Sequence, residues 1–359
     1  MINSTPVVTI DLDAIKYNYN NIKRHCKGSE ICGTVKASSY GLGGQNRVVT
    51  KLSQSGCKRF FVAHINEGLN IRKKFKSLTI NILNGCNIGE ESILYKNNLN
   101  PVINTFEQLA RWLKFLKNKK KEKLVIHFDT GMCRLGVQED DISKVVSLKK
   151  DLDSFKEVII MSHLACAGNK KDSFNEVQRK KFENIKKMLP GYKYSLAASG
   201  GIFLGKKYHY DLVRPGISLY GGNKNFNKKI KHVVKLEAPI IQVNKLKKGQ
   251  TAGYSRTFRA KKDMITGTIP LGYADGIGIR LSNKGFVHFK NFKLPMLGRV
   301  SMDLIIIDLT KIKGKIGIGD FVTLYDQNFT IDAFANITGT IPYRVITCIS
   351  KRYKKIYKS

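Results

Sequence analysis

Eight short, β-branched apolar runs recur across the first two thirds of the chain, each followed by a stretch of different periodicity. This alternation constrains the fold more than any other feature. The runs are ICGTVK (31–36), RFFVAH (59–64), LTINIL (78–83), NPVIN (100–104), LVIHFD (124–129), EVIIMSH (157–163), YSLAAS (194–199) and DLVRP (211–215). Between them, segments such as INEGLNIRKKF, NTFEQLARWLKFLKNKKK and SFNEVQRKKFENIKKML place apolar residues three and four apart with charges elsewhere, the pattern of outer helices. Repeated strand–helix units call for a parallel sheet, and eight of them match a (β/α)8 TIM barrel. The third connection, NGCNIGEESILYKNN, is short, so its helix is expected to be truncated.

After about residue 230 the pattern changes to alternating strands and turns: VVKLEAPIIQVNKL, KKGQTAGYSRTFRA, MITGTIPLGYADG, GFVHFKNFKLPMLGR, MDLIIIDLT, DFVTLYD and PYRVITCISKRYKKIY. The fold class expected is α/β, an N-terminal (β/α)8 barrel over 8–230 and a C-terminal antiparallel β domain over 231–359. The boundary falls in NKNFNKKIK, where apolar content drops. PVVTIDL reads as an extra strand before the helix DAIKYNYNNIKRH, with residues 1–7 open to joining the β domain. The 359 residues exceed one ordinary domain of roughly 100–200 residues but suit a barrel plus a smaller domain.

A 42% hydrophobic chain with 8 prolines has material for a large core, which excludes disorder and collagen. No apolar stretch approaches the roughly 18 residues of a membrane span, and the start lacks a basic flank followed by an apolar run. Cys26, Cys32, Cys57, Cys86, Cys133, Cys166 and Cys348 form no CxxC pair, which argues against a disulfide framework and a metal cluster. Reduced thiols and a cytoplasmic location are expected. The charge is unusual: 63 Lys and Arg against 27 Asp and Glu give +36, enough to attract a polyanion. The lysines occur in short groups spread over the whole length, as on a solvated surface, and no nucleic-acid-binding signature accompanies them.

In barrel enzymes the catalytic groups lie at the C-terminal strand ends, where the βα loops meet. That rule selects Lys36 after the first run, Arg134 beyond the fifth, His163 at the end of the sixth, Ser199 at the end of the seventh and Arg214 near the end of the eighth. A lysine at an apolar strand end is either desolvated, ready to form an imine with an aldehyde, or merely snorkels. Ser199 precedes Gly200 and Gly201, and Arg214 precedes Pro215, Gly216 and Ile217; such loops suit close backbone approach to a phosphate, or simply turn the chain. A phosphate pocket opposite an imine-forming lysine points to pyridoxal phosphate.

The segments VKASSYGLG, FDTGMCRLG, MSHLACAG, LAASGGI, RPGISLYG, AGYSRTF, GTIPLGYADG, LGRVSMDLIIIDLT and IPYRV occur in an order, over residues 6–350, that resembles the fold-type III pyridoxal-phosphate alanine racemases. The resemblance implies that Lys36 is the Schiff-base lysine and that Tyr40, Ser199, Gly216, Ile217 and Tyr343 hold the cofactor phosphate. It implies that Arg134 contacts the cofactor phenolic oxygen and the substrate carboxylate. His163 is then the histidine flanking the ring, bonded towards the second catalytic base, and Arg214 the arginine facing the pyridine nitrogen. Tyr254 is implied as the catalytic tyrosine, Met302 as a backbone contact to the substrate carboxylate and Tyr273 as a residue of the active-site entrance. Three positions depart from the pattern. His127 stands where many members carry a carbamylated lysine that orients the neighbouring arginine, Ser301 where Cys is common, and Gly168 where an acidic residue is frequent.

The implied reaction is interconversion of L-alanine and D-alanine, supplying D-alanine for a bacterial cell wall. Two bases work on opposite faces, Lys36 on the D-isomer and Tyr254 on the L-isomer. Both have ordinary pKa values near 10, so neighbouring cations such as the cofactor imine, His163 or Arg214 are expected to lower them. The resemblance also implies a head-to-tail homodimer in which Tyr254 and Met302 complete the partner's barrel mouth. A racemase of serine or of larger, basic amino acids is the nearest alternative. A related barrel-plus-β decarboxylase would need an acidic partner at the pyridine nitrogen, which Arg214 opposes, and a nucleic-acid-binding protein rests on the charge alone.

Overall fold

Each of the eight apolar runs contributes a parallel strand. The first is broken at Cys32 into Glu30–Ile31 and Gly33–Thr34, and the others are Arg59–Val62, Thr79–Ile82, Asn100–Ile103, Lys123–His127, Glu157–Met161, Lys193–Ser195 and Leu212–Val213. The computed structural model describes residues 4–222 and 229–359. Among these, seven strands from Gly33–Thr34 to Lys193–Ser195 pair in chain order. Leu212–Val213 pairs in parallel with Glu30–Ile31, and a single bridge from Arg214 to Ala198 ties it to the seventh strand, so the sheet closes on itself. Cys32, Phe61, Val102, Val125, Ile159, Met161 and Leu212 pack together as one buried cluster. Strands buried on both faces explain why the runs read as continuous apolar segments rather than alternating ones.

The outer helices include Ile65–Lys74, Phe106–Phe115 and Phe174–Met188. The Phe106 helix starts where Thr105 Oγ1 accepts from the Gln108 amide, satisfying one of the N–H groups a helix start leaves unpaired. The helix between the third and fourth strands is the truncated one, Glu91–Lys96. At the N-terminal strand ends, Arg59 reaches Glu157 at 2.5 and 2.9 Å and Glu30 at 3.0 Å, an ion-pair cluster spanning the first, second and sixth strands.

The compact units are Lys16–Leu219, and Met1–Ile15 with Tyr220–Ser359. The second unit thus takes up Val7–Asp11, although the sequence division at 8 and 230/231 assigns most of that strand to the barrel, and its later boundary precedes the expected one. Residues 223–228 of the expected linker lie outside the described residues. Nine strands form its main sheet among the described residues. In spatial order they are Gln242–Leu246, Met264–Ile269, Ile305–Asp308, Phe292–Leu297, Phe286–Phe289, Phe321–Tyr325, Val234–Pro239, Val7–Asp11 and Lys354–Lys358. All neighbours are antiparallel except the last pair, where Val8 lies opposite Lys355 in parallel register. The segment PYRVITC, read as part of a strand, is instead the helix Pro342–Thr347, preceded by the helix Ile331–Thr338. Proline at its first position and the lost alternation account for the difference.

Candidate active site

Lys36 stands just past the first strand, which ends at Thr34 rather than at the lysine. The next four residues, Ala37, Ser38, Ser39 and Tyr40, all adopt left-handed backbone with φ of 52, 51, 57 and 58°. Left-handed helical geometry costs roughly 1–2 kcal/mol for each such residue, so the surroundings must hold it in place. They do so through Ser39 N to Val35 O (3.1 Å), Gly41 N to Ala37 O (2.7 Å), Gly43 N to Ser38 O (2.9 Å) and Ser38 N to Glu67 Oε1 (3.3 Å). The turn carries the chain from Lys36 back to a buried Tyr40. Burial, and then the charge of Arg134, push the Lys36 ammonium below its ordinary pKa, against a smaller opposing effect of Glu67. A larger share of neutral amine results, the form that acts as base or nucleophile.

Tyr40 packs so closely on Gly216 that a Cβ there would collide with the phenol. Ser199, which opens the short helix Ser199–Ile202 after the seventh strand, accepts at Oγ from Gly216 N (2.8 Å) and Ser218 N (3.2 Å). Gly200 lies against the carbonyl of Ala167 with no room for a side chain. Ser39 Oγ is buried without a hydrogen-bond partner among the described residues. Converging N–H groups and hydroxyls, beside glycines that admit close approach, fit a phosphate group, and a nearby lysine of lowered pKa fits an aldehyde.

Arg214, 4% exposed, follows the eighth strand. Its Nη1 donates to Ser195 O (3.0 Å) and Ser195 Oγ (2.5 Å), and its Nη2 to Ser162 O (2.6 Å) and Leu196 O (3.3 Å). No carboxylate is among these partners, and burial lowers the guanidinium pKa to about 10. His163 is half-buried; desolvation, then the charges of Arg214 and Arg134, hold its imidazole pKa well below the ordinary value. This corrects the expectation that His163 is one of the cations lowering the pKa of the bases: for Lys36 that part falls to desolvation and Arg134.

His127 ends the fifth strand, and its Nδ1 is 2.9 Å from Asn104 Oδ1. Burial, then Arg214, lower its pKa to about 3. Arg134 is exposed on the loop beyond and makes no hydrogen bond among the described residues. That loop returns to the strand through Val137 N to His127 O (2.7 Å) and Asp129 N to Val137 O (3.0 Å), while Asp129 Oδ1 accepts from Gly131 N and Met132 N. Gly168 is exposed with open space around it.

In the β unit, Tyr254 is 70% exposed on a turn where Ser255 and Arg256 have positive φ, and Met302 is 53% exposed. The loops of Tyr273 and Met302 are joined by Tyr273 N to Ser301 O (3.0 Å) and Ala274 N to Met302 O (3.1 Å). Arg299 Nη1 donates to Ser255 Oγ (3.3 Å), tying the Tyr254 turn to the strand end just before Ser301. Behind them the buried Asp275 Oδ1 accepts from Arg352 Nε (3.0 Å) and Nη2 (2.7 Å). Tyr343 lies on the helix Pro342–Thr347 and is partly exposed.

Sequence reasoning passed over Ser162, Ser195, Thr130, Gln178 and Asn104, which hold the barrel residues in place, and Asp275 and Arg352, which brace the tyrosine loop. Of these Asn104, ending NPVIN, was within reach of the strand-end rule.

The chain belongs to the alanine racemase family. Residues 10–224 match the alanine racemase N-terminal domain and residues 233–357 the alanine racemase C-terminal domain. It is 40% identical over 355 residues to the alanine racemase of Rickettsia africae, covering 98% of each chain, and 36% identical to that of Acidiphilium cryptum, covering 99% of each. Among solved structures it is similar to the alanine racemase of Bartonella henselae with covalently bound pyridoxal phosphate. There the TM-score is 0.94 at 36% identity, with 99% of this chain and 100% of that chain covered.

Proposed function

We propose that this member of the family interconverts L- and D-alanine, an isomerase activity with pyridoxal phosphate as cofactor. The observation that carries the reading is the grouping at one end of the barrel of a desolvated Lys36, the cradle of Ser199, Gly216 and Tyr40, and a buried Arg214 held without a carboxylate. When bound, the cofactor acts as an electron sink that acidifies the substrate α-hydrogen. Lys36 would hold the cofactor covalently, and Tyr40, Ser199, Gly216 and Ile217 would hold its phosphate. Arg214 would face the pyridine nitrogen, where its charge would disfavour a proton by like-charge repulsion. His163, its pKa lowered, would flank the ring as a neutral imidazole. Arg134, without a hydrogen bond among the described residues, would take a carboxylate, to which Met302 would offer its backbone.

Racemisation needs a proton donor or acceptor on each face of the substrate carbon. Lys36 serves the D-isomer and Tyr254 the L-isomer. The exposure of Tyr254 and Met302 on one unit supports a head-to-tail homodimer in which the β unit of one chain completes the barrel mouth of the other. Among the described residues no helix is long and apolar enough to cross a membrane, and the proposed location is the cytoplasm.

Chiral product analysis over a panel of L-amino acids with added cofactor tests the reaction and its substrate together. D-alanine should form fastest, and borohydride followed by peptide mapping should leave the cofactor label on Lys36. Faster turnover of serine or a basic amino acid would move the assignment within the family; a label on another lysine would overturn it.

A further inference from the structure

One hydroxyl stands among the four acceptors that orient Arg214, the other three being backbone carbonyls. A guanidinium has five N–H bonds, and the four acceptor contacts on Nη1 and Nη2 account for four, leaving Nε–H as the donor still available. Ser195 Oγ donates its single hydrogen to Leu212 O at 2.8 Å, so it can meet Arg214 only as an acceptor. The shelf behind is fixed in turn. Ser195 O also accepts from Ser162 N (3.0 Å), and Ser162 Oγ is bonded to Thr130 Oγ1 (2.8 Å). Gln178, fully buried on the helix Phe174–Met188, donates to Thr130 Oγ1 (3.2 Å) and His163 O (3.0 Å) and accepts from Ala165 N (2.8 Å).

We propose that Ser195 is a positioning residue that holds Arg214 with its Nε–H towards the cofactor ring nitrogen, and so sets the partition between racemisation and half-transamination. The inference rests on the reading of Arg214 given above. Every partner of the guanidinium is neutral, so its positive charge stays uncompensated and acts in full on the ring nitrogen. Without the Ser195 acceptor the guanidinium can tilt away, and the nitrogen then takes a proton more readily; one pKa unit there changes the protonated fraction about tenfold. A protonated ring is the stronger electron sink and favours the side reaction. In that reaction the amino group of alanine passes to the cofactor, and water cleaves the carbon–nitrogen bond, supplying the keto oxygen with which the carbon skeleton leaves as pyruvate. The substrate carbon is oxidised, the aldehyde carbon of the cofactor is reduced to a primary amine, and the α-proton ends on that carbon. No other oxidant or reductant is needed.

The test compares wild type, Ser195→Ala and Ser195→Thr as holoenzymes, measuring racemisation by chiral analysis and pyruvate by coupled lactate dehydrogenase. Ser195→Ala should raise pyruvate per racemisation event about tenfold, as a one-unit change at the ring nitrogen requires. Ser195→Thr, which keeps the hydroxyl, should restore the wild-type partition. In cofactor-free protein, the Arg214 Nε–H resonance, assigned through its loss in Arg214→Lys, should be single and sharp in wild type and Ser195→Thr and exchange-broadened in Ser195→Ala. Should Ser195→Ala fail to fold, Ser195→Cys, a weak acceptor of similar size, carries the same expectations. A wild type that racemises alanine while the alanine variant keeps both its partition and its sharp resonance overturns the role of Ser195 alone. A wild type that neither racemises alanine nor takes the label at Lys36 overturns the underlying reading as well.

Discussion

The imidazole of His127 donates from Nδ1 to Oδ1 of Asn104 across 2.9 Å, and the direction of that bond is fixed by the amide rather than by the ring. Asn104 Nδ2 donates to Leu83 O and Val102 O, both at 3.0 Å, so the atom left to face His127 is the acceptor. The ring is therefore protonated at Nδ1 and carries its lone pair on Nε2. Where a carbamylated lysine would bring a negative charge, this chain has a neutral acceptor.

Histidine-labelled protein should show the His127 signals of an Nδ1-protonated neutral ring at pH 6, assigned by their loss in His127→Gln. Asn104→Ala removes the acceptor and should cost about 1–3 kcal/mol of stability, the range for a buried donor left unpaired. Protonation at Nε2 instead would reverse the tautomer assignment.

Stability should fall on mild acidification for a reason separate from the carboxylates. The folded pKa of His127 is about 3 against 6.5 for a free imidazole, and that of His163 is also well below 6.5. Between these values the unfolded chain binds more protons than the folded one, so stability is lost as pH drops below 6.5. Each histidine contributes a slope of up to about 1.4 kcal/mol per pH unit. Urea midpoints from pH 7 to 4 should show a shallower decline in His127→Gln; an unchanged decline would rule out this origin.

At the opposite end of the barrel, Arg59 is buried between Glu157 and Glu30. Glu157→Gln should destabilise by about 3–5 kcal/mol, since it strips a buried charge of its nearer partner, and Arg59→Met combined with Glu157→Met should recover part of the loss. A double variant no more stable than the single one would contradict this account.

Gly216→Ala should weaken cofactor binding at least roughly tenfold, within the range by which misplaced contacts at a built site are felt. The cause is space and not backbone conformation: the added methyl would displace the Tyr40 phenol from the cradle. Fluorescence titration of the cofactor-free protein reads the affinity directly, and an unaltered titration curve would mean Tyr40 does not hold the phosphate.

Tyr254→Phe should leave cofactor binding intact and reduce racemisation on the order of 10² or more, the range for loss of a general acid or base. Exchange of the α-hydrogen in heavy water should persist for the isomer served by Lys36 and fail for the other. Equal exchange from both isomers would reject the two-base scheme.

The barrel was legible because eight buried strands need eight continuous apolar runs, and turns cannot imitate them. Local geometry was less so. ICGTVK reads as one strand to Lys36, yet the chain leaves the sheet at Thr34 and enters a left-handed turn through Ala37, Ser38, Ser39 and Tyr40, none of them the glycine that would announce it. Ser162 follows one apolar strand and Ser195 ends another, places where a small hydroxyl residue looks like filler until its partner is seen. The lowered pKa of His163 comes from desolvation and from the charges of Arg214 and Arg134, brought there by distant parts of the chain, a quantity no motif carries.

Val7–Asp11 lies between Val234–Pro239 and Lys354–Lys358 in its sheet. On the ribosome this strand is made early, while both neighbours arrive only after the whole barrel sequence. At about 5–20 residues per second it waits roughly 10–45 s for the first of them. During that interval its unpaired edge is available to any other strand, including the same strand of another nascent chain. Growth temperature and translation speed should therefore govern the yield of folded protein through this one strand, while the barrel, whose neighbouring strands follow closely in sequence, is far less sensitive to either.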